Sequence, residues 1–175
     1  MRCITISGPP GAGTTTVSQL LSEKTNIEYI YAGNIFRTMA EKYNMSLEEF
    51  GQYCENHREI DEKLDAYQLE ILKKGNVILE GRIAGWIAYR NSIDALKILI
   101  TADLETRVQR IIKREQGDFE KRMKEMRKRE ISEKTRYKKY YDIDLDETLI
   151  YDFVIDSSNK TAQEIVDIIR GEIKK

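Results

Sequence analysis

The chain opens on an apolar run, Cys3-Ile4-Thr5-Ile6, followed by a turn of small residues and a helix-spaced segment, Val17-Ser18-Gln19-Leu20-Leu21. Apolar runs and helical patterns then alternate to the end. Ile27-Glu28-Tyr29-Ile30-Tyr31 reads as a second strand and Gly33 to about Tyr43 as a helix. Ser46-Leu47-Glu48-Glu49 is a capping box that opens another helix. A longer helix, Arg58–Lys73, ends at Lys73-Lys74-Gly75-Asn76. Val77-Ile78-Leu79, Leu96–Ile100 and Phe153-Val154-Ile155 are continuous apolar runs, as strands buried on both faces require. Thr161-Ala162-Gln163-Glu164 is a second capping box. Five short strands separated by helices predict an α/β fold: a parallel sheet, right-handed crossovers and helices on both faces. Ligands of such sheets bind beyond the carboxyl ends of the strands. No repeat, low-complexity segment or linker interrupts the 175 residues, so 1–175 reads as one domain.

The most informative strand end is the first. Gly8-Pro9-Pro10-Gly11-Ala12-Gly13-Thr14-Thr15-Thr16 lies between a strand and a helix, the context that makes a glycine pattern a phosphate-binding loop. Its backbone N–H groups can form an anion nest, and the following helix adds the positive end of its dipole. Thr15 holds the position whose hydroxyl reaches Mg²⁺, and Thr16 adds a hydroxyl for a phosphate. The pattern departs from G-x-x-x-x-G-K-[ST] once: Thr14 stands where lysine is usual. The positive charge must then come from elsewhere.

Composition narrows the classes. Charged residues make up 34% and hydrophobic ones 41%, as in a soluble globular enzyme. No apolar stretch reaches the ~20 residues of a membrane span, so neither a membrane partner nor a leader segment is expected, and a cytoplasmic location is. Cys3 and Cys54 read as buried free thiols. With His57 as its single histidine, the chain offers no zinc site or serine–histidine triad. The net charge is −1, yet residues 107–139 hold 14 Lys/Arg against 6 Asp/Glu. Such a block predicts either a polyanionic ligand at one place or a solvated charged helix. No aromatic interleaving accompanies it, so nucleic acid is not expected.

The other strand ends carry cations too. Arg37 falls one turn into the helix after the second strand, within Ala32-Gly33-Asn34-Ile35-Phe36-Arg37. Glu80-Gly81-Arg82 follows the third strand, and Arg110 and Arg114 lie four apart after the fourth. Arg129, Glu133 and Arg136 fall within about 60° of one another on a helix. Phosphoryl transfer between two nucleotides needs this distribution: one set of cations for the acceptor phosphate, another over the donor phosphates.

On these segments the chain resembles the nucleoside monophosphate kinases, and among them the cytidylate kinases of archaeal type. The specific elements are G-P-P-G-x-G-T-T-T, A-G-x-I-F-R, L-E-G-R and R-E-x-S-E-K-x-R-Y, and the loop without lysine is itself a mark of that group. The resemblance implies a three-layer P-loop NTPase fold with strand order 2-3-1-4-5, an acceptor-binding helical segment at about 33–74 and a helical lid at about 115–140. It implies transfer from ATP to CMP or dCMP with Mg²⁺, and nothing in the chain demands more than a monomer. ATP would lie on residues 8–16 with Arg110 and Arg114. CMP would meet Gly33, Arg37, Gly81, Arg82, Arg129 and Glu133, with Asp61, Gln68 and Trp86 as pocket candidates. Mg²⁺ would sit at Thr15 and, through water, Glu80. Arg129 and Arg136 match lid arginines that act with Thr15 on the transferring group. The charge that Thr14 lacks would come from Arg110, Arg114 or the lid arginines. The pattern departs from bacterial cytidylate kinases at Ala32, where they carry serine, and at Ile83, where they carry aspartate.

Other classes fit less well. Asn159-Lys160-Thr161 begins like a guanine-reading motif, but Ala162 removes its carboxylate and no D-x-x-G segment follows. Kinases acting on UMP, AMP or shikimate share the loop without the combined motifs. A non-catalytic nucleotide-binding protein would explain the missing lysine alone.

Overall fold

In the computed structural model, residues 3–173 are described. Strands β1 (Cys3–Ser7), β2 (Glu28–Tyr31), β3 (Val77–Glu80), β4 (Ala95–Thr101) and β5 (Phe153–Asp156) form one parallel sheet in the order β2-β3-β1-β4-β5. The helices are α1 (Thr14–Thr25), α2 (Ala32–Lys42), α3 (Leu47–Cys54), α4 (Arg58–Lys74), α5 (Ala84–Arg90), α6 (Leu104–Glu115), α7 (Phe119–Tyr141) and α8 (Ala162–Ile173). The strand order matches the one the resemblance implies. Helix α5 is the element the pattern does not announce: Ala84, Gly85, Trp86, Ile87 and Ala88 are all buried, so no polar face reveals its period.

The inner strands are apolar throughout because both faces are covered. Along β3, Val77 and Leu79 pack with Ile71, Leu72, Trp86 and Ile87 beneath α4 and α5. Ile78 points the other way, among Val17, Leu21, Ile165, Val166 and Ile169 of α1 and α8. Two further clusters hold what projects beyond the sheet. Ala40, Phe50, Cys54, Ile60 and Leu64 join α2, α3 and α4. Val108, Ile111 and Met126 join α6 to α7. Both cysteines are buried free thiols. Both capping boxes form: Ser46 with Glu49 at α3, and Thr161 with Glu164 at α8.

Parallel register fixes the site. Ile6 of β1 faces Glu80 of β3, so the loops after these strands emerge side by side. Gly81 N–H donates to the Ile6 carbonyl at 3.1 Å, and the Ser7 hydroxyl donates to the Gly81 carbonyl at 2.9 Å. The loop then needs glycine at Gly11, where φ is +82° and a Cβ would lie 2.7 Å from the Arg107 carbonyl oxygen. Among the described residues, no helix is long and apolar enough to cross a membrane.

Candidate active site

A cleft of ≈ 430 Å³ opens between the loop, α2, α4, the end of β3 and α7. Gly8, Pro9, Pro10, Gly11, Thr14 and Thr15 line its floor. Gly33, Arg37, Gln68, Glu80, Gly81 and Arg82 line it from α2, α4 and β3, and Arg114, Arg129, Glu133 and Arg136 from α6 and α7. Segments far apart in sequence, with Arg122 of α7 among them, thus bring six arginines to one cavity.

The floor centres on Glu80, which is 4% exposed. Its Oε1 accepts from the hydroxyls of Thr14 (2.6 Å) and Thr15 (2.8 Å), and its Oε2 accepts from the Tyr29 phenol. Burial and the carboxylate raise the Tyr29 pKa, so the phenol stays a donor. Tyr29 is a site residue that sequence reading missed; it looks like one more strand aromatic, and only the pairing of β2 beside β3 brings it to Glu80. One carboxylate and one threonine hydroxyl are hard oxygen donors. They fit Mg²⁺, which keeps waters and substrate phosphates as its remaining ligands. Among the described residues, no group of three or more His, Cys, Asp and Glu could form an all-protein cage.

The α7 wall is organised by Glu133. Its carboxylate accepts from Arg82 at 2.7 Å and from Arg129 at 3.0 Å. Burial works to raise its pKa, but Arg129, Arg82 and Arg136 outweigh this and hold it lowered. Glu133 is therefore an anion that keeps two guanidinium groups turned to the cleft. Arg37 faces the cleft without a carboxylate partner among the described residues.

Six expected positions fall outside the cleft lining. Ala12 is buried, and its carbonyl accepts from Ser157 at 2.8 Å. Gly13 begins α1 with φ +90°, and Thr16 is exposed on the first turn beyond it. Arg110 donates to Ser157 through both terminal nitrogens and to the Gly11 and Ala12 carbonyls, so it braces the outer side of the loop. Asp61 is the fifth. It is 1% exposed and its carboxylate lies 3.6 Å from Arg136 Nε, away from the cavity. Residue Asp65, one turn on, reaches the cleft instead. Trp86 belongs to the core under α5, with the Arg90 guanidinium 5.3 Å from its ring centre.

Arg136 differs from a side chain on an open lid. It is 2% exposed and stacked on Phe36 (5.3 Å), because the last turns of α7 pack on α3 and α4. Tyr137 and Tyr141 are core residues there, and the Tyr140 hydroxyl donates to the Cys54 carbonyl. The basic block resolves into two parts. Arg114, Arg122 and Arg129 face the cleft, whereas Lys128, Lys134 and Lys138 pair with surface carboxylates.

Sequence comparison decides the family. The profile of the cytidylate kinase-like family matches residues 3–159. The chain belongs to that family. It is 48% identical over 171 residues to the cytidylate kinase of Methanocaldococcus jannaschii, covering 97% of this chain and 96% of that one. It is 46% identical over 175 residues to that of Archaeoglobus fulgidus, covering 98% and 96%. The cytidylate kinase-like fold is shared more widely. An uncharacterised protein from Eubacterium ventriosum aligns with TM-score 0.74 at 19% identity, over 100% of this chain and 99% of that one. A shikimate kinase from Bacteroides thetaiotaomicron aligns with TM-score 0.62 at 13% identity, over 99% of each. The chain is a phosphotransferase of the nucleoside monophosphate kinase class.

Proposed function

We propose that this kinase transfers the γ-phosphoryl group of ATP to CMP or dCMP, giving ADP and CDP or dCDP, with Mg²⁺. The observation that carries this reading is one cleft lined by a phosphate loop and by Arg37, Arg82, Arg114, Arg129 and Arg136. Two phosphate-bearing substrates bring several negative charges together, and catalysis of their reaction is mainly positioning and charge neutralisation.

The donor phosphates rest on the backbone N–H groups of residues 8–16, and Arg114 faces them from α6. Arg110 acts on this side by holding the loop carbonyls outward, so that the N–H groups turn inward. Arg37 and Arg82 take the acceptor phosphate. Arg129 supplies charge to the transferring group, with Glu133 fixing its direction. Arg136 adds charge from a buried position set by Asp61 and Phe36. Thr15 and Glu80 would hold Mg²⁺, Glu80 through water, and the bound ion would supply positive charge to the phosphate oxygens. Gly33, Gly81 and Gln68 shape the acceptor side.

A coupled assay with ATP and CMP, dCMP, UMP, AMP, GMP and shikimate tests the proposal. CMP and dCMP should give the highest kcat/KM. Faster turnover of AMP or shikimate than of CMP would overturn the acceptor assignment, and turnover that survives removal of Mg²⁺ would overturn the metal's part.

A further inference from the structure

The wall that α4 gives the cleft is rich in hydrogen-bond acceptors. Leu64, Asp65 and Gln68 reach the cavity from it. The Gln68 amide donates to Asp65 Oδ1 at 3.2 Å, which turns its own oxygen away from Asp65. That oxygen, Gln68 Oε1, has no partner, although the residue is only 6% exposed. Asp65 Oδ2 is likewise buried without a hydrogen bond of normal geometry, with the unpartnered Tyr141 phenol as its neighbour in the protein. A Cβ at residue 81 would lie 2.4 Å from Gln68 Oε1, so glycine at 81 makes room for it. Gly81 adjoins Arg82, hence Gln68 stands beside the arginine group. Asp65 sits about one helical turn farther from the sheet. Unsatisfied buried acceptors in a ligand cavity mark where a ligand donor belongs.

We propose that Asp65, seconded by Gln68, reads the acceptor base and selects cytosine through its exocyclic amino group. This rests on the reading above that CMP or dCMP is the acceptor. Cytosine presents an N4 amino donor where uracil presents the O4 acceptor. The amino group supplies the hydrogen bond the wall lacks. Uracil O4 would set lone pairs against lone pairs. A site whose polar groups are matched to a substrate donor rejects the analogue lacking it far better than an apolar pocket can.

The test compares kcat/KM for CMP and UMP in wild type and Asp65→Asn. Asparagine keeps the shape but offers an N–H that uracil O4 can accept. The variant should lose on the order of 10²-fold on CMP, and its UMP/CMP ratio should rise about 10-fold or more. A residue with only a structural role lowers both acceptors in step. An unchanged ratio in a variant that melts like wild type therefore overturns the assignment. If Asp65→Asn does not fold, Gln68→Met removes the second acceptor and should move the ratio the same way; a ratio it leaves unmoved is equally fatal. Wild type that uses neither CMP nor UMP refutes the acceptor reading itself. CMP turnover with an unmoved ratio refutes only the role of Asp65.

Discussion

The Thr14 hydroxyl donates to Glu80 Oε1 at 2.6 Å, so the residue that replaces the loop lysine is tied to the carboxylate proposed to serve Mg²⁺. A lysine at this point would not simply restore a missing charge. Its ammonium would meet a buried carboxylate first and form an ion pair with it. Thr14→Lys is therefore expected to lower kcat by about 10-fold, a barrier increase of about 1.4 kcal/mol. It should also raise the Mg²⁺ concentration needed for half-maximal rate. Initial rates over a Mg²⁺ titration check both. A variant faster than wild type would mean that the site lacks charge and nothing else.

Glu133 makes a second expectation. It is 6% exposed and bound to two arginines. Breaking a buried pair by removing one partner costs about 3–5 kcal/mol, because charge is left uncompensated. Glu133→Gln keeps the shape and some hydrogen bonding, so about 2–4 kcal/mol of unfolding free energy should be lost. The sign with pH follows from its lowered pKa. Its contribution is present above the unfolded carboxylate value and fades as pH falls through the folded one. The gap between wild type and variant in urea midpoint should thus close on acidification. A gap that stays constant down to acid pH would show that the charge of Glu133 is not what matters.

Arg107 joins three segments. It donates to the carbonyls of Ala102 (3.1 Å) and Pro10 (3.2 Å) and pairs with Glu130 of α7. It thereby anchors the outer side of the phosphate loop to the helix that carries Arg129. Arg107→Met should raise KM for ATP about 10-fold while changing KM for CMP much less, since the loop carbonyls lose a net hydrogen bond of about 1–2 kcal/mol. Separate titrations of the two substrates check the split. Equal rises would place the effect in general stability.

What was legible in the chain was what repeats along it. The five strands follow from apolar runs, and the loop from three glycines between a strand and a helix. The strand-end arginines Arg37 and Arg82 follow from position alone, because every strand of a parallel sheet points its carboxyl end the same way. Tyr29, Arg107 and Asp65 were not legible, since each acts through a partner more than one element away. Asp61 and Asp65 share one face of α4, and periodicity cannot rank them. Which of them turns to the cleft depends on where Arg136 enters, and that is set by α7 packing against α3. Arg110 misleads in the opposite way. Its spacing from Arg114 suits two cleft cations, but Ser157 at the end of β5 draws it behind the loop.

Asp65 gives a last expectation that needs no substrate. Burial raises its carboxyl to about 7, reinforced by the charges of Asp61 and Glu62 and opposed by Tyr141 and Arg136. Asp61 behaves alike, raised to about 6. The unfolded chain releases the Asp65 proton near the ordinary value of about 4. Between that value and about 7 the folded state holds more protons than the unfolded one, so stability from this group falls as pH rises. Below the unfolded value both states are protonated and nothing is lost. Asp65→Asn removes this term only. Its melting temperature relative to wild type should therefore climb between about pH 4 and pH 8, by about 2–4 °C for each kcal/mol recovered. Asp61 continues to titrate in both proteins and cancels from the difference. A difference in melting temperature that is flat across this range would mean that Asp65 is ionised and well solvated in the folded chain throughout.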